Sequence, residues 1–477
     1  MAQLQTLPST DKRSVFVVGD QPYNRDRVIK ESLEAGLQVV ITKLVSDHSE
    51  TILPKIQHSS GDGSEPHATE ILPDEASAIS NDTLARLREH YGDNCCVLPL
   101  NDYVTEYAAA ISSKLSRSCF PPRSAEIVKC KHQLRDLWNH LAAQPDSGLA
   151  SVEYCYLERS SYDDNEFVSY PSAGFNNLPE NTPLIVKPDE LSSSIEVHYA
   201  SSKQEAMSLA NSVCEQLQSK WYEVGRSIGT EVRPRVVVEM AIQRSKELHP
   251  GAEFSIEFVS FEGKHYPIGI TQKWIAPNFI ETGQLFPAES FPERLRPALE
   301  DAVQQLLDGL DVGYCVSHWE FIITPEERIA LVEGHLRPAG DRIMELIEHS
   351  TNHSPTAALC EALAQQKVDF SFAPQTSCGI FWLIPETPLT KVTEVTINRD
   401  VTDALTKDLY VNEEGILATP GWSEASDWLT RFAHVMATGK NVSGVINNCR
   451  EVARNVTLTG YVNDTPTSTT LKLAIDQ

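Results

Sequence analysis

No apolar run in these 477 residues approaches the roughly 18 needed to span a bilayer, so no membrane segment is expected. The opening Met-Ala-Gln-Leu-Gln-Thr has no basic stretch followed by an apolar one and reads as no signal peptide. Basic charge is scarce: 40 Lys and Arg stand against 66 Asp and Glu, a formal charge of -26. That field argues against nonspecific nucleic-acid binding and against anionic membranes, and any anionic ligand must be met by local cations. The ten cysteines form no CxxC pair and no zinc spacing with histidine, and Cys95 and Cys96 are adjacent. A cytoplasmic protein in a reducing compartment is the expectation. A dinucleotide fingerprint is also missing, since only Gly19 follows the first apolar strand. Hydrophobic content of 41% and charged content of 22% are globular values, and the length implies two to four packed units.

What is present begins with an α/β alternation. Ser14 to Gly19 reads as a buried strand, Arg25 to Ala35 as a helix stopped by Gly36, and residues 37–42 as the next strand. Residues 48–78, rich in Ser, Asp, Gly, Pro and His, read as an exposed loop or insertion. Cys96 to Leu100 is a further strand, followed by Asn101-Asp102 and a helix over 107–115. Residues 125–141 predict one helix, with Lys131 and Arg135 sharing a face one turn apart. Residues 164–181 read as loop, and 183–188 as a strand ending on Lys187. Beyond it the loop from Asp189 to Val197 carries Ser192, Ser193 and Ser194, and a helix follows from 202. Such a strand either presents an ammonium and backbone N–H groups to phosphates or is a structural Lys-Pro turn.

Arg235 to Ile242 is β-prone, and 253–261 alternates, with Phe254, Ile256 and Phe258 opposite Glu253, Ser255 and Glu257. With the return strand this gathers Glu239, Glu253, Glu257 and Lys273 on polar sheet faces. An amphipathic helix over 297–310 leads into a hairpin of two strands joined by a turn at 325–328. Across that hairpin Glu320 and Glu333 would stand side by side, and two such carboxylates repel unless a cation lies between them. Mg²⁺, which prefers hard oxygen ligands, is the natural occupant. Arg337 follows, with a planar fork suited to a carboxylate or phosphate. A solvated charged hairpin is the plainer alternative. His318 reads either as a hydrogen-bonded structural histidine or as a substrate contact, and Lys273 and Glu281 as exposed or pocket-lining. Asp341 and Arg342 read as the cap of a helix from Ile343. The tail predicts strands over 378–384, 392–398 and 408–411, and helix within 424–438 and 444–457.

In order, Lys131, Lys187, Val238 to Ile242, Glu253, Glu320 and Glu333-Gly-His335-Leu-Arg337-Pro-Ala-Gly340-Asp341 resemble the ATP-grasp superfamily of carboxylate–amine ligases. The run from Gly313 to Asp341, with Gly269 to Lys273 and Glu281 to Pro287, resembles the L-amino-acid (dipeptide) ligase branch of the bacilysin and dapdiamide type. The resemblance covers about the whole chain. It implies an α/β (α+β) ATP-grasp fold with a Rossmann-like N-terminal unit over 1–121, a core over 122–374 and a C-terminal subdomain over 375–477. It also implies ATP and Mg²⁺. Lys131, Lys187, Ser193 and Ser194 would meet the phosphates, Glu239, Met240, Ala241 and Ile242 would read adenine through backbone groups, and Glu253 would accept from ribose. Glu320, Glu333 and His335 would hold metal; Lys187 and Arg337 would be catalytic; Lys273, Glu281, His318, Arg337 and Gly340 would line the substrate site. A small carboxylic acid would become an acyl phosphate, and an amine would displace phosphate to give an amide and ADP, both substrates being amino acids. A homodimer is implied as well.

Two departures from the family pattern stand out. His335 replaces an asparagine ligand, which points to a phosphate contact or to Mn²⁺. The serine-rich loop replaces a glycine-richer one. The rival readings are a nucleotide-binding regulatory protein without turnover, and a carboxylase or small-molecule kinase on the same fold.

Overall fold

The computed structural model describes residues 13–19, 22–44, 68–72, 79–91, 95–115, 119–159, 167–171, 174–192, 194–221, 233–248, 252–277, 279–366, 368–419 and 431–476. Its first sheet is parallel, in the order Ala68–Leu72, Gln38–Leu44, Ser14–Val18, Cys95–Pro99. The two central strands are buried runs of Val, Ile and Phe, as a sheet covered on both faces requires. Ala68–Leu72 corrects the loop expected there. Five residues are too few to show a period, and the strand forms because Gln38–Leu44 offers an edge to pair with. The rest of 48–78 lies outside the described residues. Gly19 takes a positive φ of 89°, and a Cβ there would meet Val104 at 2.7 Å. This close approach seats the turn Asn101–Val104, which Asn101 Oδ1 caps by accepting from the amides of Tyr103 and Val104.

The helix expected over 125–141 is two helices, Pro122–Lys129 and Lys131–Ala142, broken at Cys130 (φ -85°, ψ 103°). The reason lies far away in the chain. The Lys131 amide donates to the Asp189 carbonyl at 3.0 Å, and the His132 amide to Asp189 Oδ1 at 3.0 Å. Asp189 therefore caps the second helix in place of the preceding turn.

The second sheet is antiparallel, in the order Phe167–Tyr170, Tyr154–Arg159, Arg235–Met240, Leu184–Pro188, His198–Ala200, and the helix Lys203–Gln218 packs on it. Phe167–Tyr170 and a short helix, Gly174–Asn177, replace part of the loop expected over 164–181.

The third sheet has eleven strands among the described residues. It runs from Ile329–His335 through Cys315–Ile323, Glu253–Phe261, Lys264–Ile275 and Glu281–Phe286 to Ser377–Pro385. There it divides, one branch leading to Thr465–Leu473, Val456–Val462 and Lys391–Ile397, the other to Ala433–Gly439 and Asp408–Val411. Ala433–Gly439 corrects the helix expected over 424–438, whose first part lies outside the described residues. Pairing with a strand on either side decides its conformation. Phe254, Phe258, Trp319 and Phe321 are fully buried behind this sheet, each contributing about 1.5–3 kcal/mol of apolar transfer. Among the described residues no helix is long and apolar enough to cross a membrane.

Candidate active site

The second and third sheets face each other across a cavity of about 550 Å³. The hairpin Cys315–Ile323 and Ile329–His335 forms part of its wall, and Glu320 pairs directly with Glu333 across it. Opposed residues on antiparallel strands share a face, so both carboxylates enter the cavity. Gly334, between Glu333 and His335, lies under the Trp319 ring, where a Cβ would collide.

Both acids are ionised. Burial works against the charge on Glu320, but Lys273 and His318 outweigh it and hold the carboxyl well below its ordinary range. Glu333 is opposed by burial in the same way, and His335 and Lys131 bring it down to about 2. Lys131 Nζ stands 3.6 Å from Glu333 and also donates to the Leu191 carbonyl.

Lys187, at the end of its strand, is buried and donates to Glu239 Oε1 at 2.6 Å. Arg135 reaches the other oxygen of Glu239 at 3.0 Å. Burial, joined by Arg135 and Lys131, lowers the Lys187 pKa despite Glu239. The helix face shared by Lys131 and Arg135 thus points at this corner. The amides of Met240 and Ala241 donate to the carbonyls of Glu153 and Pro183, so they are not open for reading a base; Ala241 and Ile242 still line the cavity. Ser194, at φ 55°, donates to the Phe279 carbonyl at 2.9 Å, and Ser193 lies outside the described residues. Glu253 lines the cavity and accepts from Arg244 at 2.7 Å.

His335, His318 and Lys273 line the cavity as expected, and each is engaged with protein partners. His335 is no free ligand: Nδ1 is 2.7 Å from Asp102 and Nε2 is 3.2 Å from Glu333. Burial disfavours its charge, but Asp102 and Glu333 raise its pKa to about 9. His318 also has both nitrogens engaged, with Glu257 at 2.8 Å and Glu320 at 2.9 Å, and it is 3% exposed. Its structural reading is the one this geometry supports. Lys273, 1% exposed, bridges Glu281 at 2.5 Å and Glu320, so it gives the cavity charge balance instead of a free ammonium.

Arg337 is held by a residue that no local signal marked. Its Nε and Nη2 grip Asp102 at 2.9 and 2.7 Å, and Nη1 donates to the Pro338 carbonyl. Asp102 follows a parallel strand at its carboxyl end, the place where open α/β sheets receive ligands. Arg135, Asp189 and Arg431 were equally unmarked as site residues. Gly340 and Asp341 line the cavity beside Glu281.

Residues 180–345 match the ATP-grasp domain family. Alanine–anticapsin ligase of Bacillus subtilis is 28% identical over 163 residues, 33% of this chain and 34% of that enzyme. The Bacillus amyloliquefaciens protein of the same name is also 28% identical over 163 residues. The chain thus aligns with about a third of the length of these curated relatives. An L-amino acid ligase from Bacillus licheniformis superposes with a TM-score of 0.64 at 15% identity, covering 95% of this chain and 100% of that one. Biotin carboxylase from Campylobacter jejuni gives 0.59 at 9% identity, covering 97% and 93%. The ATP-grasp fold therefore extends over nearly the whole chain.

Proposed function

From an ATP-grasp fold with this cavity, we propose an ATP-dependent carboxylate–amine ligase that joins two amino acids through an acyl phosphate, releasing ADP and phosphate. One observation carries the reading: a single cavity holds buried cations at one corner and two opposed ionised carboxylates with Arg337 at the other. Likeness to alanine–anticapsin ligase and to an L-amino acid ligase supports the substrate class.

The residues fit both groups that the fold implies. A volume of about 550 Å³ suits a small ligand, and Ile185, Ile242, Ile322 and Val332 give it an apolar part for a base. Opposed, ionised carboxylates are hard oxygen donors of the kind that hold Mg²⁺. Glu320 and Glu333 would bind it, and it would neutralise phosphate oxygens.

The chain's own groups then do the positioning. Lys131 and Lys187 hold phosphate oxygens as point charges, and Ile242 with the local carbonyls reads the base. Asp102 fixes the Arg337 plane and leaves one N–H on each Nη for the substrate carboxylate and for the charge that develops during transfer. The carboxylate attacks the γ-phosphorus, ADP leaves, and the amine then attacks the acyl carbon, expelling phosphate. Catalysis rests on alignment and charge neutralisation.

The test is ADP and phosphate release with Mg²⁺-ATP across amino-acid pairs, with Glu333→Ala as the blank. Release that requires both partners, yields an amide and disappears in the variant is expected. A phosphorylated substrate would indicate a kinase, and absence of ATP binding would defeat the reading.

A further inference from the structure

Phosphoryl transfer leaves part of the cavity wall unused. Arg431, just ahead of the strand Ala433–Gly439, grips Asp341 end-on, with Nη1 to Oδ2 at 2.8 Å and Nη2 to Oδ1 at 3.0 Å. Its guanidinium carbon lies 4.3 Å from the centre of the Trp382 ring. One end is taken and one face is covered, which fixes the plane of the group. The remaining edge carries Nε, which is shielded from solvent and has no hydrogen-bond partner among the described residues.

Gln284 presents the complementary case. Its Nε2 donates to Glu281, while its Oε1 is buried without a partner among the described residues. Arg431 and Gln284 line the same cavity. Buried polar atoms seldom go unpaired in native chains, and a ligand in the cavity can supply what is missing. The unmet needs are a hydrogen-bond acceptor beside Arg431 and a donor beside Gln284.

We infer that Arg431 anchors the carboxylate of the amine-bearing substrate, so that the chain selects amines carrying a carboxylate over amines lacking one. That the ligand is the amine partner rests on the ligase reading, since Arg337 there serves the carboxylate that reacts. The side-on edge of a guanidinium takes a carboxylate through two parallel N–H bonds. A phosphate dianion fits poorly, because the ionised Asp341 stands beside the site and would repel its second charge. A zwitterion fits well: its anionic end meets Arg431, and its ammonium meets Gln284 Oε1. Asp341 is a positioning residue, orienting Arg431 while hydrogen-bonded to Glu281.

The experiment is calorimetric titration of the full chain, with Mg²⁺ and a nonhydrolysable ATP analogue, using each free L-amino acid and its carboxamide. The wild type should bind at least one free amino acid about tenfold or more tightly than its carboxamide. Arg431→Gln should cut that preference severalfold, what remains being owed to Arg337, and leave carboxamide affinity within about twofold. Should loss of the Asp341 partner unfold Arg431→Gln, Arg431→Lys decides: it keeps the charge, lacks the fork, and should retain only part of the preference. No preference in the wild type, no amino acid bound, or a preference undiminished in the folded variants overturns the inference. Assaying ADP release on the same protein preparations, with Mg²⁺-ATP in place of the analogue, separates the two readings. A preference that depends on Arg431 without amide formation defeats the ligase and leaves the anchor standing.

Discussion

Two buried lysines face one cavity, and their surroundings push them in opposite directions. Lys187 shares a single acid, Glu239, with Arg135 and has Lys131 nearby, and burial with these cations lowers its pKa. Burial acts against Lys273 as well, yet Glu281, Glu320 and Glu253 outweigh it and raise its pKa well above the ordinary value. The first corner has more positive charge than it can pair; the second has more negative. A site with surplus cations binds an anion at little desolvation cost, and one with surplus acids does the same for a cation. The contrast matches a phosphate chain at one side and a divalent ion at the other. It also explains how a chain of formal charge -26 offers a polyanion a welcome.

Removing each lysine tests the contrast. Lys273→Met strips the shared counter-charge from Glu281 and Glu320, and leaving buried charges uncompensated costs about 3–5 kcal/mol. Denaturant unfolding should show that loss, the largest expected here; a loss under about 1 kcal/mol would mean the acids are balanced without Lys273. Lys187→Met leaves Glu239 on Arg135 at 3.0 Å, so stability should change by no more than about 1 kcal/mol. Nucleotide affinity should instead fall about 10- to 100-fold, the worth of a charge-assisted contact, as read by ATP titration. If both variants lost stability equally, the two corners would be alike and the contrast wrong.

The hairpin acids were legible because their position depends on local pattern. Alternation and a four-residue turn mark the two strands, but the register they set would bring Glu320 opposite Val332; a β-bulge between Glu320 and Phe321 shifts it onto Glu333. Lys187 at a strand end was readable for the same reason. What escaped depends on contacts between distant segments. The break at Cys130 is set by Asp189, and Arg337 is held by Asp102 across 235 residues of sequence. Ala68–Leu72 and Ala433–Gly439 are short strands decided by their neighbours, where intrinsic preference is weak. The partners of His335 were equally invisible in the sequence: Asp102 and Glu333 stand against its two ring nitrogens.

The surplus of acid at the second corner also has a pH signature. Burial raises Glu281 from 4.5 to about 7; Lys273 opposes the shift and Asp341 adds to it. Between those values the folded chain holds a proton that the unfolded chain has released. This group's contribution to stability is therefore complete below about 4.5 and is lost as the pH rises through about 7. Glu281→Gln keeps an uncharged hydrogen-bonding group and has nothing to titrate. Melting temperatures of wild type and variant should accordingly converge or cross between pH 5 and pH 8, with the wild type losing ground by on the order of 1–3 kcal/mol. A gap that stays constant across that interval would mean Glu281 is ionised throughout. Lys273 would then be satisfying its acids in full, and the corner would have no unmet demand for a cation.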